Sequence, residues 1–172
     1  MTKKKDLSQY HSEDTPSASG YKFGIITSKW NREITDALYE GCKKTLLENE
    51  ASEENIKSVF VPGTFEIPAA IRLLAQSGKF DAIICLGCVI KGETKHNDYI
   101  SHAVATAITQ FSTMSGIPAI FGILTPDNWE QAKDRAGGKY GNKGIEAAVT
   151  AIEMADLKNR LGHKKSTIGF SL

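Results

Sequence analysis

Residues 81–100 read DAIICLGCVIKGETKHNDYI, and this stretch decides the fold. It opens with an apolar run over 82–86, whose length and β-branched content predict a strand buried on both faces. The character changes at Gly87, and a glycine, a carboxylate, a hydroxyl, a lysine and a histidine follow within ten residues. Apolar residues then recur at helical spacing, at Ile100, Val104, Ile108 and Phe111. The stretch therefore predicts a strand, a polar loop and a helix, and such loops line the ligand crevice of open α/β sheets.

The polar loop carries the groups of an anion site beside a proton donor. Backbone N–H groups at a helix start favour an anion, Gly92 lets the backbone approach closely, and Thr94 can donate a hydroxyl hydrogen bond. His96 can exchange a proton near neutral pH. The grouping suits a phosphorylated substrate that undergoes proton transfers. Taken alone, Thr94 is more often a plain helix cap, and a single histidine in a first turn is more often only solvated.

Composition bounds the class of protein. A chain of 172 residues with 41% hydrophobic and 24% charged residues indicates one globular domain with a single core. The net charge of +1 gives no argument for a nucleic-acid partner. The N-terminal residues lack the apolar segment of a secretory signal, and no stretch is long enough to span a membrane. Three cysteines, an odd number, favour reduced thiols and a cytoplasmic location.

Strands and helices alternate along the chain. The strands are predicted at 22–27, 56–61, 82–86 and 119–125. Helices are predicted after each strand, the first over about 32–48 and the last over 145–161, while Thr125 and Pro126 are predicted to cap and open a short one. This alternation predicts a three-layer α/β/α sandwich around a four-stranded parallel sheet, flavodoxin-like, with right-handed crossovers.

Three segments are expected. Residues 1–20 are polar, with Leu7 and Tyr10 as their only sizeable apolar side chains, and predict a flexible N-terminal arm. Residues 21–161 form the single domain. Residues 162–172 form a C-terminal tail without a clear pattern.

The unusual side chains of the sequence all follow strands, whose carboxyl ends meet at one edge of a parallel sheet. Trp30 and Phe65 offer flat faces to a ring, while Asn31 and Glu66 offer partners for amides or hydroxyls. Arg135 can give a phosphate a forked pair of hydrogen bonds. Together these groups suit a planar polar heterocycle bearing hydroxyls, and an anion. Taken singly, each has a plainer interpretation as a core aromatic, a carboxylate that complements a helix dipole, or a solvated charge.

Cys85 and Cys88 form a C-x-x-C pair, which invites a redox or a zinc interpretation. Side chains three positions apart on an extended strand point to opposite faces, so the pair is not expected to act together. A redox pair would open a helix, and zinc needs further ligands at matching spacing. No glycine motif of the kind that binds nucleotide phosphates is present, and no metal is expected.

The motifs FGIITSKWN, VPGTFEIP, LGCVIKGETKH, IFGIL, DRAGGKYGNKG and AIEMA, in this order and spacing, resemble those of the 6,7-dimethyl-8-ribityllumazine synthase family. The likeness covers roughly residues 21–157. It implies the penultimate step of riboflavin biosynthesis, in which 5-amino-6-(D-ribitylamino)uracil condenses with 3,4-dihydroxy-2-butanone 4-phosphate. An imine forms, phosphate is eliminated, the ring closes and water is lost, without a cofactor or a metal.

The resemblance also implies a role for each residue that matches a motif. His96 is the implied proton donor. The implied contacts of ribitylaminouracil are Trp30, Asn31, Thr64, Phe65, Glu66, Cys88, Val89, Ile90, Phe121 and Lys143. Those of the butanone phosphate are Glu93, Thr94 and Arg135. Glu93 replaces a small residue of several relatives, and we expect only its backbone N–H to contribute. Lys91 replaces a common arginine, so that a forked contact is lost.

The family assembles as pentamers whose active sites are shared by neighbouring subunits, and many members form icosahedral shells. The segment GGKYGNKG shows no insertion, which favours a shell of pentamers with riboflavin synthase as a partner inside it, and the N-terminal arm is expected to pair with a neighbour's sheet. Two other hypotheses stay open at this point. One is a cysteine hydrolase that uses Cys88 and His96, and the other is a shell protein that binds flavin or lumazine without turnover.

Overall fold

A computed structural model describes residues 6–10 and 14–162. Four parallel strands form its central sheet, in the order β2-β1-β3-β4. Their bounds are Phe23–Ser28 for β1, Ile56–Val61 for β2, Ala82–Cys88 for β3 and Ala119–Leu124 for β4. Every residue of β1 and β3 is buried, as expected of inner strands that are covered on both faces.

Five helices cover the two faces of the sheet. They are α1 (Arg32–Glu48), α2 (Ile67–Gln76), α3 (His96–Ser115), α4 (Trp129–Asp134) and α5 (Lys143–Gly162). Helices α1 and α5 pack on one face, through Leu38, Leu46 and Ile152, and helices α2 and α3 pack on the other, through Ile71 and Ile108. The predicted three-layer α/β/α sandwich with a four-stranded parallel sheet is therefore confirmed.

Alternation along β3 separates the two apolar layers. Ile84 and Leu86 belong to the layer under α1 and α5, whereas Ile83 belongs to the layer under α2 and α3. Cys85 lies in the second of these layers and Cys88 in the first. The prediction that the two cysteines face opposite sides of the sheet is thus confirmed, and their thiols do not form a pair.

The crossovers of the two central strands diverge, which is the topology that places a ligand crevice at this edge of an open α/β sheet. The chain leaves β1 towards α1 on one face, whereas it leaves the neighbouring β3 towards α3 on the other face. Loops that part in this way leave an opening at the carboxyl ends of the two strands, here Ser28 and Cys88. The opening between them is called the central crevice below.

Three local predictions were wrong. Strand β3 continues two residues beyond 82–86, because Gly87 and Cys88 pair with the end of β4. The short helix α4 is capped by Asn128, whose side chain accepts a 2.9 Å hydrogen bond from the Gln131 N–H, and not by Thr125. The segment predicted as a loop before the last helix forms a small antiparallel hairpin, β5 (Ala136–Gly138) with β6 (Gly141–Asn142), and α5 starts directly after it.

Part of the N-terminal arm contacts its own chain at this hairpin. The Leu7 N–H donates to the Tyr140 carbonyl at 3.2 Å, and the Ser8 Oγ accepts from the Asn142 N–H at 2.8 Å. Residues 1–5 and 11–13 of the arm and residues 163–172 of the tail lie outside the described residues. The pairing of the arm with a neighbour's sheet stays a prediction. Within the described ranges, no helix is both long enough and apolar enough to cross a membrane.

Candidate active site

Asn31 bridges the central crevice. It follows β1 in the left-handed conformation, with φ 58° and ψ 47°, which asparagine tolerates better than most residues. Its Nδ2 donates a 3.0 Å hydrogen bond to the carbonyl oxygen of Cys88 at the end of β3. The side chain therefore ties together the ends of the two strands that frame the crevice.

One wall of the crevice presents exposed aromatic rings. Trp30 is 64% exposed and Phe65 is 58% exposed, although both are large apolar side chains. The Trp30 ring lies so close to Gly63 that a β-carbon at that glycine would sit 2.9 Å from its Cε3. Both rings follow strands at the crevice edge, which supports the predicted stacking surface.

Two polar residues after β2 are partly engaged by the protein itself. Glu66 turns back on its own 3₁₀ turn, Thr64–Glu66, and its Oε2 accepts a 2.9 Å bond from the Gly63 N–H. Thr64 is buried, lies 3.4 Å from the Ser28 hydroxyl and packs over Gly87. One oxygen of Glu66 thus caps its own turn, an arrangement in keeping with the plainer interpretation of a carboxylate at a helix start, and Thr64 packs within the chain.

The loop before α3 is tethered at its base and open at its tip. The Val89 N–H donates to the Leu124 carbonyl at 2.8 Å, and the Lys91 N–H donates to the Pro126 carbonyl at 2.9 Å. The Lys91 side chain lies 3.5 Å from Asp127, so its charge is shared with that carboxylate. Beyond Lys91 the side chains are exposed, and Ile90 before it is half-buried.

The start of α3 offers donors to an anion. Thr94 and His96 are exposed, and the His96 N–H lies 3.4 Å from the Thr94 hydroxyl. Gly92 has open space around its α-carbon, and the exposed Glu93 side chain is free to point into solvent. The first N–H groups of a helix lack partners within the helix, so this end can bind a phosphate.

Phe121 lies apart from the crevice aromatics. It is 36% exposed on β4 and lines a cavity of about 780 Å³, together with His102, Tyr99 and Thr125. Among the described residues that line this cavity, Phe121 is the only one of the predicted substrate contacts. Within one chain it therefore does not complete the site around Trp30.

Arg135 and Lys143 form a group that is separate from both the crevice and the cavity at Phe121, on the face of the sheet that α1 and α5 cover. The Arg135 Nη1 donates to the Tyr140 carbonyl at 2.7 Å, and its Nη2 lies 2.7 Å from Glu146 Oε1. The Lys143 Nζ lies 3.0 Å from the other oxygen of Glu146. In the described part of the chain, no hydrogen bond or ion pair joins either cation to the crevice. Arg135 and Lys143 therefore form a group separate from Trp30 and Asn31 within one chain.

Two residues that sequence reasoning missed hold this group in place. Asn142 donates to the Ala37 carbonyl of α1 at 2.9 Å and accepts from the Gly144 N–H at 2.8 Å, which fixes the hairpin against α1. Glu146 pairs with both cations. Two sequence signals were available, namely an asparagine just before a helix and a lysine and glutamate three residues apart.

The thiols are poorly suited to nucleophilic chemistry. Burial raises the pKa of Cys88 to about 12, and it also raises the pKa of Cys42 and of Cys85. All three cysteines are free and buried. Because the thiolate is the reactive species, Cys88 is not a nucleophile near neutral pH, which disfavours the cysteine hydrolase.

Comparison with known proteins points to one family. The model of the 6,7-dimethyl-8-ribityllumazine synthase family matches residues 20–159. A 6,7-dimethyl-8-ribityllumazine synthase of Cytophaga hutchinsonii is 51% identical over 150 residues, which cover 87% of this chain and 94% of that protein. One of Parabacteroides distasonis is 46% identical over 151 residues, which cover 88% of this chain and 94% of that protein.

Proposed function

The chain belongs to the 6,7-dimethyl-8-ribityllumazine synthase family, and we propose that its central crevice, the start of α3 and the Arg135 group of a second copy together form the active site. The enzyme is a transferase of riboflavin biosynthesis. It condenses 5-amino-6-(D-ribitylamino)uracil with 3,4-dihydroxy-2-butanone 4-phosphate and releases phosphate and water. The observation that carries the proposed site is the exposed aromatic wall beside the tied ends of β1 and β3.

The pyrimidine binds in the central crevice. Trp30 and Phe65 supply apolar faces that are otherwise exposed to water, so stacking of a flat ring on them removes apolar surface from solvent. Glu66 uses Oε2 to cap its own turn, and Oε1 has no hydrogen-bond partner within the described residues, which leaves it for ribityl hydroxyls. The backbone of Cys88, Val89 and Ile90 borders the ring.

The phosphate of the second substrate binds at the start of α3. The N–H groups there and the Thr94 hydroxyl supply donors, while Glu93 contributes its backbone only, since its side chain is exposed. His96 then lies at the first turn, where it transfers protons as the imine forms and phosphate leaves. Condensation of an amine with a carbonyl gains most of its rate from juxtaposition of the partners, and a general acid–base residue adds about 10²–10⁴-fold.

A second copy completes the site. Within the described residues, no hydrogen bond or ion pair joins Arg135 or Lys143 to the crevice, and Phe121 lines a separate cavity, so a neighbouring subunit supplies them in this proposal. We further propose pentamers that assemble into an icosahedral shell, with riboflavin synthase as an internal partner and a cytoplasmic location. The short connection between β5 and β6 supports the shell, because no insertion extends the hairpin.

Subunit complementation tests the shared site. His96→Ala and Arg135→Ala variants are assembled together from unfolded mixtures, and lumazine formation is followed by absorbance. If the site spans two copies, random mixing in a cyclic assembly restores about one quarter of the wild-type sites. The His96→Ala/Arg135→Ala double variant is the control, because it contains no complete site. A mixture no more active than its parents would place both residues in one chain and overturn the proposal.

A further inference from the structure

Glu146 lies between two cations of the proposed site. Its Oε1 is 2.7 Å from the Arg135 Nη2, and its Oε2 is 3.0 Å from the Lys143 Nζ. The side chains of Arg135, Glu146 and Lys143 are 21%, 22% and 30% exposed. Oε1 is itself buried and has no well-aligned hydrogen-bond donor in the described residues, so the nearby guanidinium charge is what compensates it. One carboxylate therefore spans both cations, one oxygen to each.

The guanidinium of Arg135 is fixed at two of its nitrogens. The Tyr140 carbonyl accepts from Nη1 at 2.7 Å, and Glu146 faces Nη2. A planar group held at two points cannot rotate, so its remaining N–H donors keep one direction. The Arg135 side chain is therefore ordered before a ligand binds, so the loss of its conformational entropy does not weaken the affinity for the ligand.

We propose that Glu146 is a positioning residue that sets the Arg135 guanidinium and the Lys143 ammonium at a fixed separation, so that one reaches the phosphate while the other reaches the heterocycle. The inference rests on the proposed function, in which these two cations serve different substrates. Glu146 touches neither substrate and acts only through its two partners. It thus couples the binding of the phosphate substrate to that of the ribitylaminouracil.

The isosteric change Glu146→Gln separates this role from the alternatives. A glutamine amide can accept from only one of the two cations, since its other end is a donor. We expect the KM for the butanone phosphate to rise about tenfold, the equivalent of one charge-assisted hydrogen bond, with a smaller rise for ribitylaminouracil. If Glu146 merely competed with phosphate for Arg135, the loss of its negative charge would lower that KM instead.

Glu153→Gln is the matched control. It makes the same substitution on the same helix, two turns further on, at an exposed position that forms no ion pair in the described part of the chain. Both KM values should stay at the wild-type level. In an Arg135→Ala background, Glu146→Gln should add little to the KM for the butanone phosphate, because the guanidinium that Glu146 positions is then absent.

The outcomes are distinguishable. If Arg135→Ala leaves the KM for the butanone phosphate unchanged, the proposed active site is wrong. If Arg135→Ala raises it and Glu146→Gln does not, the positioning role alone is wrong. A variant with a lowered melting temperature but both KM values unchanged would make Glu146 a purely structural residue. Should Glu146→Gln fail to fold, Glu146→Asp gives the same readout, because its shorter carboxylate cannot span both cations and must raise the KM.

Discussion

Asn31 combines two contributions that substitution can separate. Its backbone is left-handed, at φ 58°, and its side chain donates to the Cys88 carbonyl at 3.0 Å. The hydrogen bond contributes about 1 kcal/mol to stability. The left-handed conformation costs an ordinary residue about 1–2 kcal/mol, and it costs glycine almost nothing. We therefore expect Asn31→Ala to lower the free energy of unfolding by about 2–3 kcal/mol and Asn31→Gly by about 1 kcal/mol.

Urea unfolding followed by tryptophan fluorescence measures the difference, at one fixed protein concentration because assembly shifts apparent stability. In a chain of this size, 1 kcal/mol corresponds to about 2–4 °C in melting temperature. Glu50 provides the matched control. It is also left-handed, at φ 73°, and its side chain accepts an exposed hydrogen bond from Ser17, which contributes little in water. Glu50→Gly should therefore stabilise the protein or leave it unchanged. Equal losses for Asn31→Ala and Asn31→Gly would show that the backbone conformation contributes nothing, and no loss in either would refute the cross-strand bond.

Three further predictions concern other parts of the structure. His96→Ala should lower kcat by about 10²-fold or more without abolishing lumazine formation, measured by absorbance, because proton transfer is only part of the rate enhancement. Gly144→Ala would drive a β-carbon into the Leu38 carbonyl oxygen between α1 and α5, and should lower the free energy of unfolding by at least about 2 kcal/mol in urea titrations. Gly162→Ala, with open space around it, should not. The Cys88 thiol should stay unreactive towards a disulfide reagent at pH 8, because its pKa is raised to about 12. The pKa of a thiol in an unfolded chain is about 8.5, so the stabilisation that comes from keeping Cys88 protonated is present below that pH and is lost as the pH rises towards 12. Urea titrations at two pH values would detect this fall in the free energy of unfolding.

The layered architecture was predictable because its signals are local. Helix α1 begins and ends where the apolar periodicity predicts, at Arg32–Glu48, and β2 likewise matches its predicted range. The end of β3 was not predictable, because Gly87 and Cys88 become strand only by pairing with β4. The start of α4 was also beyond local reasoning. Thr125, Asp127 and Asn128 are all acceptable caps. Asn128 is selected because its side chain accepts from the Gln131 backbone N–H, while the Gln131 side chain accepts from the Asp127 N–H.

In the candidate site, too, some features were predictable from local sequence and others depend on tertiary contacts. The aromatics Trp30 and Phe65 were expected after strands, and both are exposed there. The return of Glu66 to the Gly63 N–H and the pairing of Arg135 with Glu146 depend on three-dimensional contacts. The hairpin that directly follows Arg135 has strands of three and two residues, which are too short to show any periodicity.

The Tyr140 carbonyl that accepts from Arg135 also accepts from the Leu7 N–H, so Leu7 belongs to the support of the arginine for which phosphate binding is proposed. A shortened protein that starts after Ser8 would lose that donor and the Ser8 hydroxyl beneath Asn142. A tag attached at this end lies close in sequence to Leu7 and Ser8, which contact the hairpin. The turnover of forms with and without an N-terminal tag should therefore be compared before a change in activity is attributed to any other cause.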